Sequence, residues 1–178
     1  MRVISGIKKG QRLEAPKGDD IVRPTTDRVK EALFSILNFE LENALVLDLF
    51  AGSGQLGIES LSRGALHAFF IDCNRDSVAL INRNLSACNF QSSATVIKTD
   101  FKSFLKTNEQ KFDIIFLDPP YSLNAWKDAL DLIGNSIATR GIIALEHPIE
   151  CPIDDLEGYL RKDYKYGKII ITIFRKEA

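Results

Sequence analysis

Cysteine is scarce: Cys73, Cys88 and Cys151 are an odd number, far apart, with no C-x-x-C pair. That spacing argues against both a disulfide framework and a thiolate zinc centre, and all three are expected to be structural. Histidine is scarcer still. His67 and His147 have no ligand-spaced neighbours, so no metal site is expected and neither is a candidate catalytic base. No apolar run approaches the roughly 18 residues of a membrane span. The N-terminal MRVISGIKKGQ carries charge without a hydrophobic region behind it, so no signal peptide is expected and the expected location is cytoplasmic, with no membrane partner. Low-complexity tracts and internal repeats are also missing. What is left is an ordinary globular composition, 45% hydrophobic and 26% charged over 178 residues, enough for one domain with a full core.

The net charge of −1 hides an uneven distribution. Residues 1 to 30 carry eight Lys/Arg against four Asp/Glu, residues 161 to 178 carry six against two, and residues 31 to 160 carry nine against eighteen. Basic ends on an acidic body suggest a local phosphate-binding face, although terminal Lys and Arg are as often simply solvated.

Two short apolar-containing runs, 2 to 5 and 11 to 14, flank Lys8-Lys9-Gly10 and predict a small hairpin. A Pro/Gly/Asp stretch follows to Pro24. From Asp27, a plausible N-cap, Val29, Ala32, Leu33, Ile36 and Leu37 fall on one helical face. The hairpin (1–26) is therefore expected to be an extension of a domain over 27–178. That domain alternates apolar strand-like runs (44 to 50, 67 to 72, 94 to 98, 113 to 118, 141 to 147) with helical segments (55 to 63, 76 to 88, 101 to 108, 124 to 138). Consecutive apolar residues mean strands buried on both faces, and the alternation predicts a doubly wound α/β fold with a mostly parallel sheet. A helical stretch near 154 to 160 and a final antiparallel pair around 161 to 166 and 169 to 175 bring the expected count to seven strands, with helices on both faces.

The first strand ends in Asp48-Leu49-Phe50-Ala51-Gly52-Ser53-Gly54-Gln55-Leu56-Gly57, a G-x-G-x-x-G between strand and helix. Such glycines let the backbone turn tightly and approach a ligand at the helix start. Asp72, eighteen residues after Gly54 at the end of the second strand, is placed to accept hydrogen bonds from ribose hydroxyls. Asp100 ends the third strand, near where an adenine amino group would project. An adenosine-containing cofactor follows; nicotinamide enzymes use the same turn, so the loop alone does not choose among cofactors.

The fourth strand runs into Asp118-Pro119-Pro120-Tyr121. An exocyclic base amine is a poor nucleophile because its lone pair is delocalised into the ring. Hydrogen bonds from its two N–H groups to the Asp118 carboxylate and to a main-chain carbonyl, that of Pro119, favour a more tetrahedral nitrogen whose lone pair faces a sulfonium methyl. Successive prolines restrict the backbone that holds the carbonyl. Tyr121 offers a stacking face for a flipped base, worth about 1–3 kcal/mol. Asp118, Pro119, Pro120 and Tyr121 are the catalytic candidates.

With both motifs in place, the chain resembles the RsmD family of bacterial 16S rRNA guanine-N2 methyltransferases over nearly its whole length. The resemblance is carried by Arg2-Val3-Ile4-Ser5-Gly6, Gln11-Arg12-Leu13, Arg23-Pro24-Thr25-Thr26-Asp27-Arg28-Val29-Lys30-Glu31-Ala32-Leu33-Phe34, Leu47 to Gly54, Leu61-Ser62-Arg63-Gly64-Ala65 and the Asp118 motif. It implies a Rossmann-like class I methyltransferase with S-adenosyl-L-methionine as cofactor. The cofactor set is Asp48, Phe50, Gly52, Ser53, Gly54, Asp72, Asp100 and Phe101. The expected partner is 16S rRNA or the assembling small ribosomal subunit, met by Arg2, Lys8, Lys9, Arg12, Arg23, Thr25 and Arg28, and the expected state is a monomer. Asp72 departs from the family, which more often has Glu there. Glu146, at the end of the fifth strand, matches the family as a possible polar group of the pocket.

Other classes explain less. A nicotinamide oxidoreductase leaves the Asp118 motif without a task. A DNA adenine-N6 methyltransferase usually carries a recognition insertion, whereas only 17 residues separate Asp100 from Asp118. A non-catalytic RNA-binding protein of the same fold would not need Asp118 beside an intact glycine loop.

Overall fold

A computed structural model describes residues 1–16, 27–119 and 125–177. Five helices and seven strands follow in the order α1 (Asp27–Ile36), β1 (Leu45–Asp48), α2 (Gln55–Ser62), β2 (His67–Asp72), α3 (Arg75–Cys88), β3 (Ala94–Lys98), α4 (Phe101–Thr107), β4 (Phe112–Leu117), α5 (Ala125–Leu132), β5 (Ile137–Pro148), β6 (Tyr159–Tyr166) and β7 (Ile169–Lys176). The strands form one sheet, ordered β3-β2-β1-β4-β5-β7-β6. β1 to β5 pair in parallel, and β7 lies antiparallel between β5 and β6. This is the Rossmann-like α/β sheet expected, with its strand order reversing at β1. β1 neighbours both β2 and β4, so the loops after β1 and β4 open beside one another, where ligands of such sheets bind.

Alternate residues of the central strands feed two cores. Val46, Phe70, Ile114 and Phe116 pack with Leu33, Phe34, Ile58 and Ile81 of α1, α2 and α3. Leu47, Ile71, Ile115 and Leu117 pack with Phe104, Leu105, Ala129 and Leu130 of α4 and α5. Helices therefore cover both faces, which is why these strands read as unbroken apolar runs.

Three sequence expectations change. α5 ends at Leu132 in a 3-10 turn over Ile133–Asn135, and β5 begins at Ile137 rather than 141. Gly134 is a weak helix former, and Ile137 pairs with Phe112 before a register shift that Arg140 permits at φ 63°. The stretch 154 to 160 forms no helix. Arg161 donates to the Ile153 carbonyl and pairs with Asp155 at 3.1 Å, Gly158 turns at φ 79°, and Tyr159 already begins β6. The N-terminal hairpin has a single bridge, Arg2 to Arg12.

That hairpin is held from the domain side. Val3 and Leu13 lie in the same core as α1, α2 and α3. Glu59 of α2, fully buried, accepts the Ile4 N–H at 2.7 Å, the Ser5 N–H at 3.0 Å and the Arg63 guanidinium at 2.8 Å. Lys30 of α1, also fully buried, lies 3.9 Å from Glu59 and donates to the Arg2 carbonyl at 2.6 Å. Burial pushes the Lys30 ammonium below its ordinary value, against the pull of Glu59. The buried face of α1 thus runs through Val29, Lys30, Leu33 and Phe34, turned toward a lysine that a hydropathy pattern assigns to solvent.

Candidate active site

The glycine loop is braced at nearly every peptide. The N–H of Leu49 reaches the Phe116 carbonyl, that of Ala51 the Ile71 carbonyl, and that of Gly54 the Ala51 carbonyl at 2.6 Å. Asp72 accepts the Gly52 N–H at 2.9 Å on one oxygen and the Asn74 N–H at 2.8 Å on the other. Carboxylate oxygens each accept more than one hydrogen bond, so Asp72 keeps acceptor capacity for a ligand hydroxyl. Gly54 has φ 78°, and a Cβ on it would press on Ile81 and Phe70 at 3.3–3.4 Å. A Cβ on Gly57 would lie 2.3 Å from the Phe70 ring, so this third glycine lets α2 lie against β2. Gly52, at φ 53°, meets nothing closer than 3.9 Å, which leaves the loop open on that side to an approaching ligand.

Asp48 sits beneath the loop, 2% exposed, accepting the Gly57 N–H at 3.2 Å. Burial pushes its carboxyl up from 3.8 to about 7; the Gly57 N–H opposes the shift and the Asp72 charge adds to it. The folded protein therefore keeps a proton that the unfolded chain releases, and stability falls as pH rises from 3.8 to about 7. Asp48→Asn keeps an acceptor for Gly57 and carries no charge. Thermal melting is expected to show it more stable than the native chain at pH 8 and without advantage at pH 4; an equal gain at both would remove this assignment.

Phe50 and Phe101 face each other at 5.0 Å between ring centroids, forming an apolar wall between the glycine loop and the start of α4. Asp100 is the N-cap of α4 and accepts the Ser103 N–H at 2.9 Å. Hydrogen bonds from Ser103, side chain first, hold its carboxyl below the usual carboxylate value. The loop glycines, Asp72 acceptors, aromatic wall and Asp100 together suit an adenosine ligand bearing hydroxyls and an amino group.

Asp118 and Pro119 follow β4 directly, Asp118 half-buried and Pro119 buried. Leu117 pairs with Leu145, so Asp118, just past the end of β4, comes level with Glu146, which lies inside β5 two residues before its end at Pro148. Glu146 is 9% exposed. Pro120, Tyr121, Arg23 and Thr25 lie outside the described residues. Of the basic set, Arg2 and Arg12 are exposed bridge partners, and Arg2 pairs with Asp27 of α1 at 3.2 Å beside exposed Arg28. Lys8 and Lys9 sit elsewhere. The Lys8 N–H bonds the Ser62 hydroxyl at 3.0 Å, at the far end of α2 from the glycine loop, about 12 Å along the helix axis.

Sequence reasoning missed Asn84, Glu59 and Lys30. Asn84, 1% exposed on α3, joins the glycine loop to residue 14. The only hint was a polar residue interrupting the apolar face of Ile81, Leu85 and Cys88.

A family model described as Conserved hypothetical protein 95 matches residues 1–175. YlbH of Bacillus subtilis (strain 168) is 39% identical over 185 residues, with both chains covered completely. The ribosomal RNA small subunit methyltransferase D of Escherichia coli (strain K12) is 31% identical over 182 residues, covering 100% of this chain and 91% of the relative. Among solved structures, Escherichia coli yhhF superposes with a TM-score of 0.90 at 29% identity, covering 100% of this chain and 98% of that one. Matches this long make the chain a member of the ribosomal RNA small subunit methyltransferase D (RsmD) family.

Proposed function

We propose that this chain is an S-adenosylmethionine-dependent methyltransferase that methylates the exocyclic N2 of a flipped guanine in small-subunit 16S rRNA. The observation that carries the reading is topological: β1 and β4 are paired neighbours, so the glycine loop and Asp118-Pro119 open at one switch point. S-adenosylmethionine supplies a methyl group on a sulfonium. The chain's own part is to hold the amine against it. The Asp118 carboxylate and the Pro119 carbonyl accept the two amine N–H groups and meet positive charge as it develops on nitrogen, and orientation supplies much of the rate. Asp118 need not be a strong base, since the methylated nitrogen sheds its proton readily.

Two features favour rRNA guanine over DNA adenine. The segment between Asp100 and Asp118 holds only α4 and β4, with no recognition insertion, and the Escherichia coli relative is named a ribosomal RNA small subunit methyltransferase. Glu146 stands next to Asp118 in register, and a carboxylate accepts guanine N1–H where adenine presents only an acceptor. Arg2 and Arg12 offer the phosphate-facing charge. The expected state is a cytoplasmic monomer.

Radiolabelled methyl transfer onto small-subunit particles, free 16S rRNA and DNA, followed by nucleoside analysis, tests this. N2-methylguanosine is the expected product; N6-methyladenine refutes the reading. Arg2→Glu with Arg12→Glu is expected to weaken RNA binding and to flatten log K against log salt by roughly one unit per lost phosphate contact. An unchanged slope would take this face off the RNA.

A further inference from the structure

We propose that Asn84 is a positioning residue that ties the glycine loop to the N-terminal segment, so that RNA held by that segment and S-adenosylmethionine held by the loop alter one another's affinity. This rests on the function proposed above.

Asn84 occupies a site that an amphipathic helix would fill with an apolar side chain, among Leu80, Ile81, Leu85 and Cys88. A buried amide is tolerable only when its hydrogen bonds are made. Here its Nδ2 donates to the Glu14 carbonyl at 3.1 Å and to the Ser53 carbonyl at 2.9 Å, and its Oδ1 accepts the Glu14 N–H at 2.8 Å. The reverse amide orientation would face an N–H with a donor and two carbonyls with an acceptor, so the partners dictate which way it points.

Those three bonds join two parts of the chain that do different work. Ser53 is the middle residue of Gly52-Ser53-Gly54. Its carbonyl and the Gly54 N–H belong to one rigid peptide plane, and that N–H closes on the Ala51 carbonyl at 2.6 Å. Holding the Ser53 carbonyl therefore sets the tilt of the plane at the centre of the loop. On the other side, Asn84 grips both backbone groups of Glu14, as a neighbouring strand would. Two more contacts reinforce the link: Met1 Sδ lies 3.7 Å from Ser53 Oγ, and Arg83 pairs with the Glu14 carboxylate at 2.9 Å. The segment so held carries exposed Arg2 and Arg12. A shift of this segment on RNA moves Glu14, Asn84 and the Ser53 peptide together, and linkage makes the effect reciprocal.

The test is equilibrium dialysis of radiolabelled S-adenosylhomocysteine, which cannot turn over, with and without unmodified small-subunit particles. Particles are expected to change its affinity for the native chain at least about 5-fold, the lower end of ordinary coupling. Asn84→Asp puts an oxygen against two carbonyls. Glu14→Pro removes the accepted N–H at a position whose own side chain is exposed. Both are expected to bring the ratio close to one while particle binding without cofactor stays within about 2-fold, a split that general loss of stability would not produce. A native ratio of one overturns the coupling but leaves the methyltransferase reading intact, provided each ligand binds separately. An unchanged ratio in both variants overturns the role of Asn84. Failure of the native chain to bind either ligand overturns the function and this inference with it.

Discussion

Asp118→Ala is expected to abolish methyl transfer while leaving cofactor affinity nearly unchanged. Asp118 stands at the end of β4, two positions beyond the Asp48–Phe116 pairing that joins this strand to β1. The glycine loop is braced through Asp72, Ala51 and Asn84, none of which involves Asp118. Losing one preorganised acceptor aimed at developing charge typically lowers turnover about 10²–10³-fold, and here the same group also orients the nucleophile. Single-turnover transfer from labelled S-adenosylmethionine, with dialysis of S-adenosylhomocysteine alongside, separates the two effects. Turnover within 10-fold of the native chain would remove Asp118 from the chemistry. A matching loss of cofactor binding would place it in the cofactor site instead.

The second large effect is on folding. Glu59→Ala removes the carboxylate that answers the Lys30 and Arg63 cations and two main-chain N–H groups of the hairpin. Breaking a buried ion pair from one side costs about 3–5 kcal/mol, because the partner charge stays buried and uncompensated. At roughly 2–4 °C per kcal/mol for a chain this size, the melting temperature is expected to drop on the order of 10 °C. Lys30→Met removes the buried ammonium and fills its place with an apolar chain, so it should cost much less. Equal losses from the two substitutions would overturn this asymmetry and show that Glu59 depends on Lys30 as much as Lys30 depends on Glu59.

How far the sequence discloses this protein depends on whether a residue's partner is local. β2 and β3 fall where their apolar runs place them, at 67 to 72 and 94 to 98, because each run is short and bounded on both sides by turn or helix signals. The glycine loop and Asp118 are legible for a related reason: both are short motifs at strand ends, and the α/β topology sends those ends to one edge. Residues 154 to 160 look helical only locally, and Arg161 decides otherwise by binding Ile153 and Asp155. Asn84 and Glu59 are harder still. Their partners lie 70 and 55 residues away along the chain, and a single polar letter in an apolar stripe does not say what it will meet. Asp72 and Asp100 show a subtler gap. Asp72 ends β2 as expected, whereas β3 stops at Lys98 and Asp100 lies two residues beyond it as the N-cap of α4; each carries backbone work, on Gly52 and on α4, that spacing alone does not reveal.

β7 enters the sheet between two strands that both precede it, pairing with β5 from Ile142 to Pro148 and with β6 from Tyr159 to Tyr166. Until it arrives, β5 has a bare rim of unpaired amides and carbonyls, the kind of surface that recruits foreign strands. Sheet closure therefore depends on β7, the strand that joins β6 to the rest of the sheet. The protein should then be most vulnerable to aggregation in the interval when residues 137 to 166 are made but 169 to 176 have not yet docked.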